Sequence, residues 1–163
     1  MRVIAIFFVG VVALAGCTQA ASKPPSQAPA PTAAPLAAGQ FTSHGVAATL
    51  DARGSGTNVS GTMTMADSGQ NATVDLECSH RTESGILMIG GLVTASTFTE
   101  WFPKGHRVAI VFQPGSPVKA IWYVVLPGDA PLASCQAVVD ALLAEGDLNE
   151  GLEPIQGTVE LSL

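Results

Sequence analysis

Alternating hydrophobic and polar positions predict β-strands in several parts of the chain. From Thr57 to Met65, and again from Ala72 to Cys78, apolar residues fall at every second position, as on one face of an extended strand. Residues 67–70 (Asp-Ser-Gly-Gln) lie between these runs and have the chemistry of a tight turn, so the two runs should form a β-hairpin. The C-terminal segment Gly157 to Leu163 alternates in the same way.

Other segments are apolar on both faces, which is typical of strands with two buried sides. One of them contains the pair Gly90-Gly91, which in a strand often marks a bulge or a close backbone approach. These segments are 86–93, 107–112 and 118–126, and a further, weaker strand is expected over 41–50. Together with the alternating runs they make about seven strands.

One segment has helical rather than strand periodicity. Its apolar residues recur at i, i+3, i+4, i+7 and i+8, the stripe of an amphipathic helix. They are Cys135, Val138, Val139, Leu142 and Leu143. Ser134 is suited to cap the helix and Gly146 to end it. We therefore expect a mainly β domain, a small antiparallel sandwich or partly closed barrel of about seven strands, with one amphipathic helix over about 134–145 packed at an end or side.

The N-terminus has the parts of a secretory signal peptide: one cation at Arg2 and an apolar run that ends before the polar Thr18. This run is shorter than the roughly 20 residues needed to span a membrane. The four residues at its end, Leu14-Ala15-Gly16-Cys17, resemble the lipobox of bacterial lipoproteins. The resemblance implies cleavage after residue 16 and a diacylglyceryl group on Cys17. The protein would then be held by lipid on the extracytoplasmic face of the cell membrane, or of the outer membrane in a Gram-negative source.

Residues 17–40 follow the expected cleavage site and are dense in Ala, Pro, Ser and Gln. Such a composition buries too little apolar surface to fold, so we expect a disordered tether. Its prolines favour an extended spacer, and a tether of no fixed length fits equally well. The folded domain is then expected to cover residues 41–163.

The charge balance narrows the possible partners. Loss of Arg2 with the signal peptide would leave six of the seven Lys and Arg against thirteen Asp and Glu, a net charge of −7. The chain has no basic run, so nucleic acid is not an expected partner. Anionic headgroups would not attract it either, so membrane contact should come from the lipid anchor.

If Cys17 is lipidated, Cys78 and Cys135 remain as an even pair. Outside the cytoplasm such a pair indicates a disulfide. Both cysteines are expected on apolar faces that point to the core, which supports their pairing. The alternative is a thiolate metal or catalytic site, for which His80 is the one nearby candidate partner.

No catalytic signature is present, and no catalytic residue, metal ligand or cofactor is assigned. His44, His80 and His106 lie in separate segments without ligand spacing. Asp75 and Glu77 point the same way from one strand, and a solvated outer face is the expected setting for this pair.

One segment is rich in aromatic residues: it contains Phe98, Trp101 and Phe102, followed by a proline. Aromatic side chains exposed on a loop commonly hold a ligand or partner, so these three form a possible interaction loop. Alternatively, they fold back as a lid over the core. The leading functional hypothesis is a non-enzymatic module that binds a protein or ligand of the cell envelope. A carrier of a lipid or other apolar molecule, and an envelope enzyme, are the alternatives.

Overall fold

Nine strands form one antiparallel sheet in the part of the chain that the computed structural model describes, residues 33–124, 134–146 and 148–162. The elements are β1 (Pro35–Ser43), β2 (Val46–Ser55), β3 (Asn58–Asp67), β4 (Gln70–Arg81), β5 (Leu87–Ser96), β6 (Arg107–Gln113), β7 (Lys119–Val124), α1 (Cys135–Glu145), β8 (Glu153–Pro154) and β9 (Gln156–Leu161). The strand order is β8-β7-β6-β5-β4-β3-β2-β1-β9. Within the described residues, no helix is both long and apolar enough to cross a membrane.

The sheet nearly closes into a barrel because its two edge strands are neighbours in sequence. β8 pairs with β7, β9 pairs with β1, and only Ile155 separates β8 from β9. The Ile155 N–H donates to the carbonyl oxygen of Val118 at 3.0 Å, which continues the closure. The Ser43 hydroxyl adds a second link between β1 and β7 by donating to the Ala120 carbonyl at 3.3 Å. The expected mainly β fold is confirmed, and of its two forms the partly closed barrel is the one observed.

Side chains fill the inside of the barrel. The predicted alternation in β3 holds, since Val59, Met63 and Met65 are all buried. The largest buried interior side chains are Leu50, Met63, Met65, Leu87, Ile89, Ile110 and Phe112. Close packing of this kind makes each large interior side chain worth about 2 to 5 kcal/mol of stability when it is truncated to Ala.

The helix lies on the outside of the sheet, across β4, β5 and β6. It begins as expected, with the Ser134 hydroxyl accepting from the Ala137 N–H at 3.2 Å, and ends at Gly146 in the left-handed region. Its stripe packs on a second apolar cluster, here called the outer cluster. This cluster comprises Cys78, Ile86, Met88, Ala109, Val111, Cys135, Val138, Val139, Leu142 and Leu148. β5 and β6 are therefore apolar on both faces because one faces the barrel interior and the other faces α1. Leu143, assigned to the stripe from its spacing, is 38% exposed.

A β-bulge in β4 changes the expected face of Cys78. Alternation placed Cys78 beside Leu76, but Leu76 pairs with Gly91 while Cys78 pairs with Gly90, so Glu77 is an extra residue in β4. An extra residue shifts every following side chain to the opposite face. Leu76 consequently lies inside the barrel, whereas Cys78 lies under α1. The Gly90-Gly91 pair marks the bulge, as the sequence suggested.

The described domain begins earlier than residue 41. Pro35 starts β1, and Leu36 and Ala37 are 7% and 1% exposed. Residues 35–40, assigned from composition to the tether, are therefore part of the barrel. Their strand is held by two neighbours, since Ala37 pairs with residues of both β2 and β9. The signal peptide, Cys17 and the tether up to residue 32 lie outside the described residues.

The strand count exceeds seven for two reasons. The single strand expected over 41–50 is interrupted by a tight turn at His44 and Gly45, both with positive φ, and so supplies the end of β1 and the start of β2. The two-residue strand β8 is the other addition. It is too short to leave a periodic pattern in the sequence.

Candidate functional site

The aromatic loop joins β5 to β6 at one end of the barrel and is fixed to the sheet by hydrogen bonds. The Thr97 N–H donates to the Asn71 carbonyl at 2.8 Å, and the Asn71 N–H donates to Oγ1 of Thr97 at 2.8 Å. Within the loop, the Phe102 N–H donates to the Phe98 carbonyl at 3.0 Å and closes a tight turn. These bonds hold the backbone of the loop in one place, so its side chains are presented in a defined geometry.

The three aromatic residues of this loop differ in how much of each side chain is exposed. Phe98 and Phe102 are each 4% exposed, whereas Trp101 is 63% exposed. The rings of Phe98 and Phe102 meet edge to face with centroids 5.5 Å apart, and Phe102 contacts Trp122 in the same manner at 6.1 Å. The two phenylalanines thus cover the core as a lid. Trp101 projects from the lid toward solvent.

A cleft opens beside Trp101 at this end of the barrel, with a volume of about 500 Å³. We call it the aromatic cleft. Its lining residues are His44, Val46, Asp67, Phe98, Trp101, Phe102, Ile121 and Trp122. Six of these eight are apolar or aromatic, and the other two, His44 and Asp67, are titratable. A volume of this size with mostly apolar walls and few polar groups is typical of a small-molecule site, and such sites occur in the mouths of β-barrels.

The floor of the cleft is a stack of rings that continues into the core. Trp122 stacks on Phe41 with centroids 6.1 Å apart and planes 15° apart, and Phe41 in turn meets Phe112 edge to face at 5.5 Å. The indole N–H of Trp122 donates to the Ser43 carbonyl at 3.1 Å. Because the polar atom of Trp122 is engaged there, its ring contributes apolar surface to the cleft.

The two titratable residues of the cleft lie in neighbouring hairpin turns. His44 follows β1, and its Nδ1 atom is 3.5 Å from Oε2 of Glu153 in β8. Asp67 ends β3 and is exposed, and its carboxylate accepts a hydrogen bond from the Ser68 hydroxyl at 2.9 Å. The rim of the cleft therefore carries a carboxylate beside aromatic surface.

Cys78 and Cys135 are brought to disulfide distance, with their sulfur atoms 2.05 Å apart and their Cα atoms 5.9 Å apart. They are separated by 57 positions and join β4 to α1 within the outer cluster. The two side chains do meet in an apolar core, as expected, but it is the outer one.

The three histidines are not brought together. His44 lies in the β1–β2 turn, and His80 lies near the end of β4, at the opposite end of the barrel. Among the described residues, no three ligands from His, Cys, Asp and Glu are grouped so that they could hold a metal ion.

The carboxylates of Asp75 and Glu77 have separate partners: Glu77 forms an ion pair with Arg107, and Asp75 accepts a long hydrogen bond of 3.5 Å from Thr94.

Sequence reasoning located the aromatic loop but missed most of the cleft. His44, Val46, Asp67 and Trp122 come from three other parts of the chain, and no sequence motif joins them. A second groove was missed as well, one of about 690 Å³ with mixed polar and apolar lining on β1 to β4 and β9. Its outward-facing residues include Gln40, Thr49, Thr64, Thr73 and Gln156. Only the register of the strands brings these side chains together.

Comparisons with family models, with curated proteins and with solved structures gave no match to this chain.

Proposed function

We propose that this protein is a membrane-anchored, extracytoplasmic binding module of the cell envelope, without enzymatic activity, and that it binds through the aromatic cleft. The expected location rests on the signal peptide and on the lipobox resemblance at Leu14 to Cys17. The proposed binding role rests on one observation above all. Trp101 is 63% exposed on a loop whose neighbouring phenylalanines are buried and whose backbone is hydrogen-bonded to the sheet.

A rigidly held, exposed tryptophan favours recognition for a physical reason. A large apolar ring in water is costly in the free protein, and a partner that covers it recovers the free energy of removing apolar surface from water. Because the loop is already ordered, little conformational entropy is lost when a ligand binds. Tryptophan is accordingly among the residues that contribute most at binding sites.

The second candidate function is carriage of an apolar ligand, and the volume of the aromatic cleft favours it. The interior of the barrel is an unsuitable site for such a ligand, because Leu50, Met63 and Phe112 fill it and are 2% exposed or less. A carried molecule would sit at the mouth of the barrel, over Phe102 and Trp122. The two functions therefore share one site and differ in whether the ligand is retained and transferred.

Binding at the cleft can be tested with a small aromatic probe. 2-Phenylethanol is titrated against the full-length protein in mild detergent, and its dissociation constant is measured by ligand-observed NMR. We expect binding that is weakened about five- to tenfold by Trp101→Ala, since one aromatic contact is worth about 1 to 1.5 kcal/mol. Trp101→Phe should retain most of the affinity.

Leu143→Ala is the matched control: among the described residues, Leu143 is the other exposed large apolar side chain, at 38%, and it lies on α1 outside the lining of the cleft. This variant should bind 2-phenylethanol like the wild type. An absence of binding to the wild-type protein, or equal affinities for the Trp101→Ala and Leu143→Ala variants, would contradict the proposed site.

A further inference from the structure

We infer that the aromatic cleft selects organic cations: small molecules with an apolar ring or chain and a protonated amine. This inference rests on the proposed function and specifies the ligand class for the same site. The inference depends on the observation that Asp67 and the exposed Trp101 line one cleft together with Phe102 and Trp122.

The aromatic rings at the floor of the cleft explain why we expect the ligand to have an apolar part. Phe102 is buried and meets Trp122 edge to face, while Trp122 is held by Phe41 and by its hydrogen bond to the Ser43 carbonyl. None of these rings can turn to offer a polar atom to a ligand. A flat apolar group is therefore what this part of the cleft can receive.

The charged residue at the rim of the cleft explains why we expect the ligand to carry a positive charge. Asp67 accepts a hydrogen bond from the neutral Ser68 hydroxyl and forms no ion pair within the described residues. His44, the other titratable residue of the cleft, is directed to Glu153 instead. Among the described residues, no cationic side chain therefore lies within ion-pair distance of Asp67, and the chain as a whole carries a net charge of −6. An anion would be repelled from this rim and a cation attracted.

Trp101 adds to the same preference. The face of an indole ring is electron-rich, and it attracts an ammonium group more strongly than other aromatic side chains do. With 63% of Trp101 exposed, its ring has free surface next to the rim. Because Trp101 and Asp67 line the same cleft, we expect the ammonium group to lie on their side of it while the apolar body rests on Phe102 and Trp122.

The experiment compares three probes that share a phenyl ring and a similar chain and differ in charge at pH 7: 2-phenylethylamine (cationic), 2-phenylethanol (neutral) and 3-phenylpropanoate (anionic). Dissociation constants are measured with the full-length protein in mild detergent by ligand-observed NMR. We expect the amine to bind about three- to tenfold more tightly than the alcohol, and the carboxylate to bind more weakly than the alcohol. The preference for the amine should shrink as salt is added.

Two variants locate the source of the preference. Asp67→Asn should remove the preference, so that 2-phenylethylamine and 2-phenylethanol bind this variant with similar affinity. Asp75→Asn is the matched control, because Asp75 is an exposed aspartate on β4 that does not line the cleft, and it should keep the wild-type preference. Nα-acetyl-lysine methylamide, which offers an ammonium group as a partner protein would, should bind more weakly than 2-phenylethylamine.

The outcomes separate this inference from the proposed function. If 2-phenylethanol binds and 2-phenylethylamine binds no more tightly, the selectivity for cations is wrong while the binding site stands. If neither probe binds, the proposed function fails as well. A preference that persists in Asp67→Asn would overturn the role of Asp67, and tighter binding of the lysine derivative would overturn the small-molecule assignment in favour of a protein partner.

Discussion

Gly90 is a position where the outer cluster leaves no room for a side chain. A Cβ atom built there would lie 2.7 Å from Sγ of Cys135, whereas ordinary contacts of a Cβ atom are 3.4–4 Å. The sulfur cannot swing away alone, because Cys135 begins α1 and is buried in the outer cluster. Gly90→Ala should therefore displace the start of the helix or distort β5.

The expected cost follows from two opposing effects. Overpacking a close-packed site destabilises by about 1 to 3 kcal/mol. Against this, replacing a glycine whose φ suits any residue reduces the entropy of the unfolded chain and stabilises by about 0.4 to 1 kcal/mol. Because the contact is shorter than an ordinary one by more than half an ångström, the steric effect should win. We expect a net loss of about 1 to 2 kcal/mol, which lowers the melting temperature by about 3 to 8 °C in a domain of this size.

The assay is thermal unfolding followed by circular dichroism, with Gly115→Ala as the matched control. A Cβ at Gly115 meets only the Pro117 carbonyl oxygen, at 3.4 Å, so this variant should melt within about 2 °C of the wild type. A double-mutant cycle with Cys78→Ala/Cys135→Ala isolates the cause, since Gly90→Ala should be neutral or stabilising once the sulfur is gone. An unchanged or raised melting temperature for Gly90→Ala alone would refute the reasoning.

Three further predictions concern the aromatic loop, the cysteine pair and the membrane anchor. Phe102→Ala should cost about 3 to 5 kcal/mol of stability and Trp101→Ala less than about 0.5 kcal/mol, so similar melting curves for the two variants would contradict the division into lid and exposed ring. Mass spectrometry of exported protein without reductant should show Cys78 joined to Cys135, a bond that closes a loop of 57 positions and contributes about 4 kcal/mol; two alkylatable thiols would exclude it. Cys17→Ala should leave an uncut, unlipidated precursor or a misplaced protein, and a cut product of this variant with normal membrane partitioning would exclude lipidation at Cys17.

Local patterns in the sequence were sufficient to predict several secondary-structure elements. The helix could be placed because its stripe, the Ser134 cap and the Gly146 stop all lie within one short segment. The β3–β4 hairpin was predictable for the same reason, since the alternation on both sides and the turn at Ser68 and Gly69 are neighbours in sequence. Aromatic density also identified the loop at Phe98 to Phe102, although it left open whether the loop is a lid or an interaction site.

The tertiary structure decided the features that depend on contacts between distant residues. Residues 35–40 are mostly small, include a proline and a glycine, and have no strand alternation; they form a strand because β2 and β9 supply hydrogen-bond partners on both sides. The face of Cys78 depends on the bulge, which is a property of the register between β4 and β5 and leaves no mark in the alternation of β4 alone.

The candidate site shows most clearly that local sequence patterns do not predict contacts between distant residues. Trp101 is exposed and Phe102 buried because Phe102 finds Trp122 of β7 beneath it, a contact that no local pattern encodes. His44 and Asp67 reach the cleft because the turns that carry them lie at the same end of a nearly closed barrel. Hydrophobic periodicity determines which face of a strand is buried, but the residues that share a cleft are determined by how the strands are ordered and how the sheet closes.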